Sequence, residues 1–177
     1  MAGELRKIED FEVYSIFEYT PNLLHLFGKY YPERINLRRI IRFTLALKDG
    51  YKIYSLVKDN KALAYCTIQS GKSSRFDYTT ENDIVVRPYV VMPDFQGDGL
   101  AAKLIKRILV YKAGQYRYAY AYITDTNIAS IKTCERLGFR FYKNAYVTAF
   151  KADVKATDDD KTGHVIMRLK GEEFICE

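Results

Sequence analysis

Apolar and polar positions along this chain follow two periods, and the changes of period divide it into elements. Residues 11–17, FEVYSIF, mix β-branched and aromatic side chains as a strand does. Thr20-Pro21 then supplies an N-cap followed by proline, which predicts a short helix over 21–29. Pro32 marks another start. From Asn36 the residues Leu37, Ile40, Ile41, Thr44, Leu45 and Leu47 recur at helical spacing until Asp49-Gly50 stops them. The expectation is two helices on one side of a core.

Residues 51–71 hold two β-rich runs around Lys58-Asp59-Asn60-Lys61, the pattern of a hairpin. A polar loop, 71–83, leads to an apolar run over 84–92 interrupted by Arg87-Pro88. Proline cannot donate to a ladder, so an edge, a bulge or a splay is expected there. A helix over 99–113 follows, with Ala101, Leu104, Ile105, Ile108 and Tyr111 on one face and Lys103, Lys106, Arg107 and Lys112 on the other. Residues 117–123 read as a strand, 127–137 as a helix closed by Gly138, 139–150 as a strand with a break near Asn144, and 164–169 as a last strand.

Composition narrows the class. With 177 residues, 48% of them hydrophobic, the chain suits one globular domain spanning 1–177. No apolar stretch approaches a signal peptide or a membrane span, so a cytoplasmic protein is expected. Cys66, Cys134 and Cys176 lie far apart without a C-x-x-C pair, and only His25 and His164 could join them, so neither disulfides nor a metal site is expected. The net charge of +6 suits an anionic partner: nucleic acid, an anionic membrane surface or a phosphorylated small molecule.

The segment that carries chemistry is Val90-Val91-Met92-Pro93-Asp94-Phe95-Gln96-Gly97-Asp98-Gly99-Leu100-Ala101-Ala102, a strand running through a glycine turn into a helix. A helix start presents unpaired N–H groups with partial positive charge, and glycine lets backbone close around an anion. No Gly-Lys-Ser/Thr follows, which excludes a nucleotide-triphosphate P-loop, and the three-glycine dinucleotide fingerprint is missing.

Gln96, Gly99 and Ala101 fill a pattern of Gln or Arg, two residues, Gly, one residue, then Gly or Ala. Asn127, Gly138 and Phe139 fill a second, an Asn followed through one helix by Gly-Phe. In both, and in the order of its elements, the chain resembles the GNAT acetyltransferase superfamily. The resemblance implies an α/β (α+β) fold, a mixed and mostly antiparallel central sheet of about seven strands, flanked by about four helices, with splayed fourth and fifth strands.

It also implies acetyl-CoA as cofactor. The pantetheine arm would pair with Val90, Val91 and Met92, with Asn127 a further contact. After the motif residue Gln96, itself a cofactor contact, the phosphates would lie on the amides of Gly97, Asp98, Gly99, Leu100, Ala101 and Ala102, with Lys103, Lys106 or Arg107 near a remaining phosphate. Transfer to an amine needs the acceptor neutral and the departing thiolate stabilised or protonated. Where the family commonly has a tyrosine seven residues after the Asn, this chain has Cys134, which could donate a proton or pack in the helix core; Tyr142, Tyr146 or Tyr89 could replace it. Where the family often has an acidic base, Arg87 stands, leaving Asp83 and Asp125 as carboxylate candidates, the latter also a candidate helix cap.

The reading is therefore an N-acetyltransferase for a small-molecule amine, with an anionic acceptor such as a nucleotide-linked amino sugar suited to the basic surface, and with room for a homodimer. Neither nucleic acid nor membrane is an expected partner, since no helix-turn-helix or basic-aromatic repeat is present. The alternative is a non-catalytic acyl-CoA-binding module that has lost its acid and base.

Overall fold

The computed structural model describes residues 3–149, 153–160 and 162–174. The expected strand end at Phe150, and Cys176, lie outside the described residues. Among those described are nine strands, β1 (Glu4–Phe11), β2 (Tyr14–Thr20), β3 (Tyr51–Lys58), β4 (Lys61–Ser70), β5 (Ile84–Val91), β6 (Tyr118–Thr124), β7 (Arg140–Val147), β8 (Val154–Thr157) and β9 (His164–Lys170). Three α-helices accompany them, α1 (Leu37–Leu47), α2 (Leu100–Tyr111) and α3 (Ile128–Arg136). The sheet order is β1-β2-β3-β4-β5-β6-β9-β7-β8. The mixed α/β class is as expected, with two strands more and one helix fewer.

The chain divides into two compact units, Met1–Gln69 with Pro88–Ile105, and Ser70–Arg87 with Lys106–Glu177. In the first, β1 to β4 form an antiparallel meander. The β3–β4 turn places Asp59 at φ 48° and Asn60 at φ 61°, left-handed positions that these two residue types tolerate. Residues 11–17 are not one strand, because the chain reverses at Glu12 (φ 51°) between β1 and β2.

The aromatic core of this unit gathers Tyr19, Phe43, Tyr51, Ile53 and Tyr65. Phe43 anchors α1 there, its ring centroid 5.0 Å from that of Phe27 and 5.2 Å from that of Tyr51. Of the helical stripe read from the sequence, Leu47 packs on this core, while Leu37, Ile40, Ile41 and Leu45 are exposed. The expected helix over 21–29 is absent. The Asn22 side chain accepts from the backbone of Leu24 and His25 at 3.0 and 2.9 Å, a local turn that competes with helix formation.

Buried Glu18 accepts from Arg6 (3.2 Å), Lys52 (2.7 Å) and the Tyr54 hydroxyl (2.6 Å). Burial pushes its carboxyl pKa up, but these hydrogen bonds and cations outweigh burial and hold it below the ordinary value.

In the second unit β6, β9, β7 and β8 are successive antiparallel neighbours. Their core holds Phe76, Val85, Tyr120, Ala145, Val154 and Ile166. Phe76 comes from the segment expected to be polar loop, drawn in by its bridge to Val154. Strand β5 runs parallel to β6 but pairs with it only at Ile84↔Ala119 and Val85↔Tyr120. The ladder ends at Val85, and Pro88 further along β5 has no N–H with which to resume one.

Candidate active site

The turn after β5 is built from local hydrogen bonds. The Met92 amide donates to the Leu63 carbonyl at 2.8 Å, tying the end of β5 to β4. A 3-10 turn over Pro93–Phe95 follows, in which the Phe95 amide donates to Met92 at 2.9 Å and the Gln96 amide to Pro93 at 3.3 Å. The Gln96 side chain reaches back to the Val91 carbonyl at 3.3 Å, closing the turn. Met92 and Gln96 thus spend their own amides on the protein.

Beyond Gln96 the donors are open. Among the described residues, no acceptor pairs with the amides of Gly97, Asp98, Gly99, Leu100, Ala101 or Ala102, and the first amide used again is that of Lys103, which donates to Gly99 at 3.1 Å. Gly97 and Gly99 have φ of 99° and 70°, a backbone that side chains rarely adopt, and a Cβ on either would meet no protein atom. Only Leu100 of this segment is buried; with Leu104 and Ile105 it fixes the helix start while the turn faces solvent. Six consecutive amides without a backbone acceptor at a helix N-terminus could hold an anion. Lys103 is committed elsewhere, to Glu12 at 2.9 Å, and that hydrogen bond raises its pKa.

Met92–Phe95 also wall a cleft of about 380 Å³, lined besides by Lys29, Tyr30, Tyr31, Asn60 and Lys61. Lys29 and Lys61 lie 4.9 and 5.0 Å from the ring centroids of Tyr30 and Phe95. Tyr30 and Tyr31 are neighbours in the sequence, but no local pattern brings Lys61 or Phe95 beside them.

In the second unit the expected acid–base residues meet mixed fates. Asp83 is 3% exposed. Its carboxylate accepts from the Thr80 amide (2.7 Å), the Thr80 hydroxyl (2.9 Å) and the Tyr118 amide (3.1 Å). It pins a loop to β6 and is no free base. Cys134 is 1% exposed, and its carbonyl accepts from Leu137 and Phe139. The packing role is the one observed, and a proton donor to an external thiolate needs access that this thiol lacks. Asp125 is exposed on the turn after β6 and does not cap α3. Asn127 does, its side chain accepting from the Ser130 amide at 3.2 Å.

Tyr142 belongs to an array that sequence reasoning missed. The Arg168 guanidinium lies 4.2 Å from the Tyr142 ring and 4.8 Å from Tyr118, and the Arg87 guanidinium 4.6 Å from Tyr122. The Tyr142 and Tyr120 rings meet edge to face at 5.8 Å. The Tyr78 hydroxyl is buried without a hydrogen-bond partner, and burial pushes its pKa up. The alternation of Tyr118, Tyr120 and Tyr122 was the available signal; the arginines come from β5 and β9, far away in sequence.

Known folds agree with this architecture. A spermidine N-acetyltransferase chimera of the Vibrio cholerae and hSSAT enzymes superposes with a TM-score of 0.60 at 13% identity, covering 92% of this chain and 99% of the other. An acetyltransferase from Thermus thermophilus gives 0.54 at 18% identity, covering 78% and 77%. An aminoglycoside N(6')acetyltransferase from Legionella pneumophila gives 0.53 at 14%, covering 77% and 74%. No curated protein matches the chain. The acetyltransferase (GNAT) family model matches residues 19–139, a span that contains α1, the open turn, α2 and α3, and the chain belongs to that family.

Proposed function

We propose that the protein transfers an acetyl group from acetyl-CoA to a primary amine of a small-molecule acceptor. The observation that carries this is the run of unpaired amides from Gly97 to Ala102. These amides would hold the pyrophosphate, with the backbone of Val90 and Val91 alongside the pantetheine arm. The bound thioester supplies an activated acyl group: its carbonyl carbon gains a bond to the amine nitrogen and loses its bond to sulfur. The Asn127 side-chain amide has its oxygen engaged in the cap and its N–H groups to offer.

Nitrogen sheds two protons, one from the ammonium before attack and one as the amide forms, and the second balances the proton that the departing thiolate takes up. With Asp83 and Cys134 occupied, Tyr142 is the acid we assign to the thiolate. Asp125, exposed and without a side-chain partner among the described residues, is the base. The cleft beside Met92–Phe95 has the volume of a small-molecule site. Its two lysines support an acceptor that carries an anionic group as well as its amine, such as a nucleotide-linked amino sugar. The structural neighbours named for spermidine and aminoglycosides support a small amine acceptor in general.

The occupied Asp83 and Cys134 also favour a second reading, an acyl-CoA-binding module without turnover. One assay separates the two: free thiol is followed while the protein is incubated with acetyl-CoA and a panel of amines, with cofactor affinity measured by calorimetry. Turnover that drops in Tyr142→Phe at unchanged affinity supports transfer. Binding without thiol release for any amine supports the module, and no binding of any CoA ester removes both.

A further inference from the structure

Helix α1 is apolar on two faces. One face packs Phe43, Ala46 and Leu47 into the aromatic core of its unit. The other carries Leu37, Ile41 and Leu45, four residues apart and so on one ridge, exposed by 71, 52 and 64%, with Ile40 beside them. Arg38 and Arg42 form the next row and are also exposed. Arg39, by contrast, is held by Glu33. An exposed aliphatic ridge flanked by a row of arginines is the pattern of a helix that lies at an apolar–polar boundary, and the protein itself leaves that ridge uncovered.

Charge and area decide what covers the other. Between positions 21 and 49 six Lys and Arg stand against two acidic residues, Glu33 and Asp49. Glu33 is engaged by Arg39, and Asp49 accepts from Gln69. The surroundings of the ridge are therefore basic. Antiparallel self-pairing would set the Arg38–Arg42 row against its own copy. One face of an 11-residue helix also offers each partner roughly 400 Å², about half of what a stable dimer needs. An anionic lipid surface has neither difficulty: aliphatic side chains enter the boundary between headgroups and acyl chains, and the arginines meet phosphate and carboxylate groups.

We infer that α1 is an in-plane membrane anchor, docking the protein on anionic lipid through Leu37, Ile41 and Leu45 with Arg38 and Arg42 at the headgroups. This departs from the expectation that no membrane is involved. It agrees with the anionic surface that the net charge admits. No described helix is long and apolar enough to cross a bilayer, and an in-plane helix has no need to. The anchor does not depend on which acceptor is used, or on whether turnover occurs.

The test is flotation with two kinds of vesicle, phosphatidylcholine alone and phosphatidylcholine with about 30% phosphatidylserine. The full chain is expected to float with the anionic vesicles, to float much less with the neutral ones, and to be released as salt rises. Leu37→Ser/Ile41→Ser/Leu45→Ser should weaken flotation by at least about tenfold, with thermal unfolding and CoA affinity unchanged because these side chains are exposed. Arg38→Gln/Arg42→Gln is the second variant and should abolish the preference for the anionic vesicles. The inference is overturned by failure to float with either vesicle, by equal flotation with both, or by a triple variant that floats like the parent. A concentration-dependent dimer in sedimentation that the triple variant dissolves would assign the ridge to a second copy instead.

Discussion

Helix α1 opens on an asparagine whose side chain caps its own first turn, whereas α2 opens on a glycine with no side chain to cap with. Asn36 accepts from the Arg39 amide at 2.9 Å, and Asn127 does the same for α3. Such a cap contributes about 1 kcal/mol, because it satisfies one of the four donors that every helix start leaves unpaired. At α2 the position before the helix is Gly99, without a side chain, and five more amides around it are equally unpaired. The helix is held instead by Leu100, Leu104 and Ile105. A start left uncapped forgoes stability that a single side chain would supply, and the forgone stability returns when an anion binds.

The comparison breaks most completely at Gly99. Gly99→Trp keeps Leu100 and Leu104 in place and is expected to leave the protein folded, with a loss of about 1–2 kcal/mol for a side chain at positive φ. The indole would fill the space above the amides, so calorimetric affinity for CoA should fall more than about 100-fold. An affinity equal to the parent's would mean that the turn is not the phosphate site. Gly97→Ala is milder, since a methyl group meets no protein atom. The strain at φ 99° would be relieved by shifting the turn, and about tenfold weaker CoA binding is expected, read in the same titration.

How much of this was legible in the sequence depends on the reach of each interaction. The glycine turn and α2 were legible because a strand, two glycines and a helical stripe are all local. The face of α1 was not: periodicity shows that Leu37, Ile41 and Leu45 share a side, but the aromatic partners of Phe43 decide which side is inward. Strand β1 went unread because its side chains, from Glu4 to Phe11, are largely exposed and charged, leaving no alternation to follow. Half of what engages Asp83 was local, the amide and hydroxyl of Thr80, but the Tyr118 amide that donates to its other oxygen is 35 residues away.

Asn127 lies between the two kinds of helix start, since its oxygen caps α3 while its amide N–H groups are assigned to the cofactor. Asn127→Ala should lower stability by about 1 kcal/mol and raise KM for acetyl-CoA several-fold. Asn127→Asp separates the two effects: a carboxylate still caps, so the denaturation midpoint should return, but it cannot donate, so KM should stay high. Recovery of both would make Asn127 a cap alone.

The smallest effect is expected at Asn36. Asn36→Ala removes the cap of α1 but leaves Phe43 packed between Phe27 and Tyr51, so the helix should persist and only its first turn should fray. Urea denaturation should show a loss of about 1 kcal/mol at unchanged slope. Asn36→Asp should restore most of it, because aspartate caps equally well. Affinity for CoA should not move in either variant, since no amide of the Gly97–Ala102 run lies in α1. A CoA affinity that fell with the cap of α1 would show that the two helix starts are energetically coupled, and the open donors of α2 could then no longer be treated as a site that stands by itself.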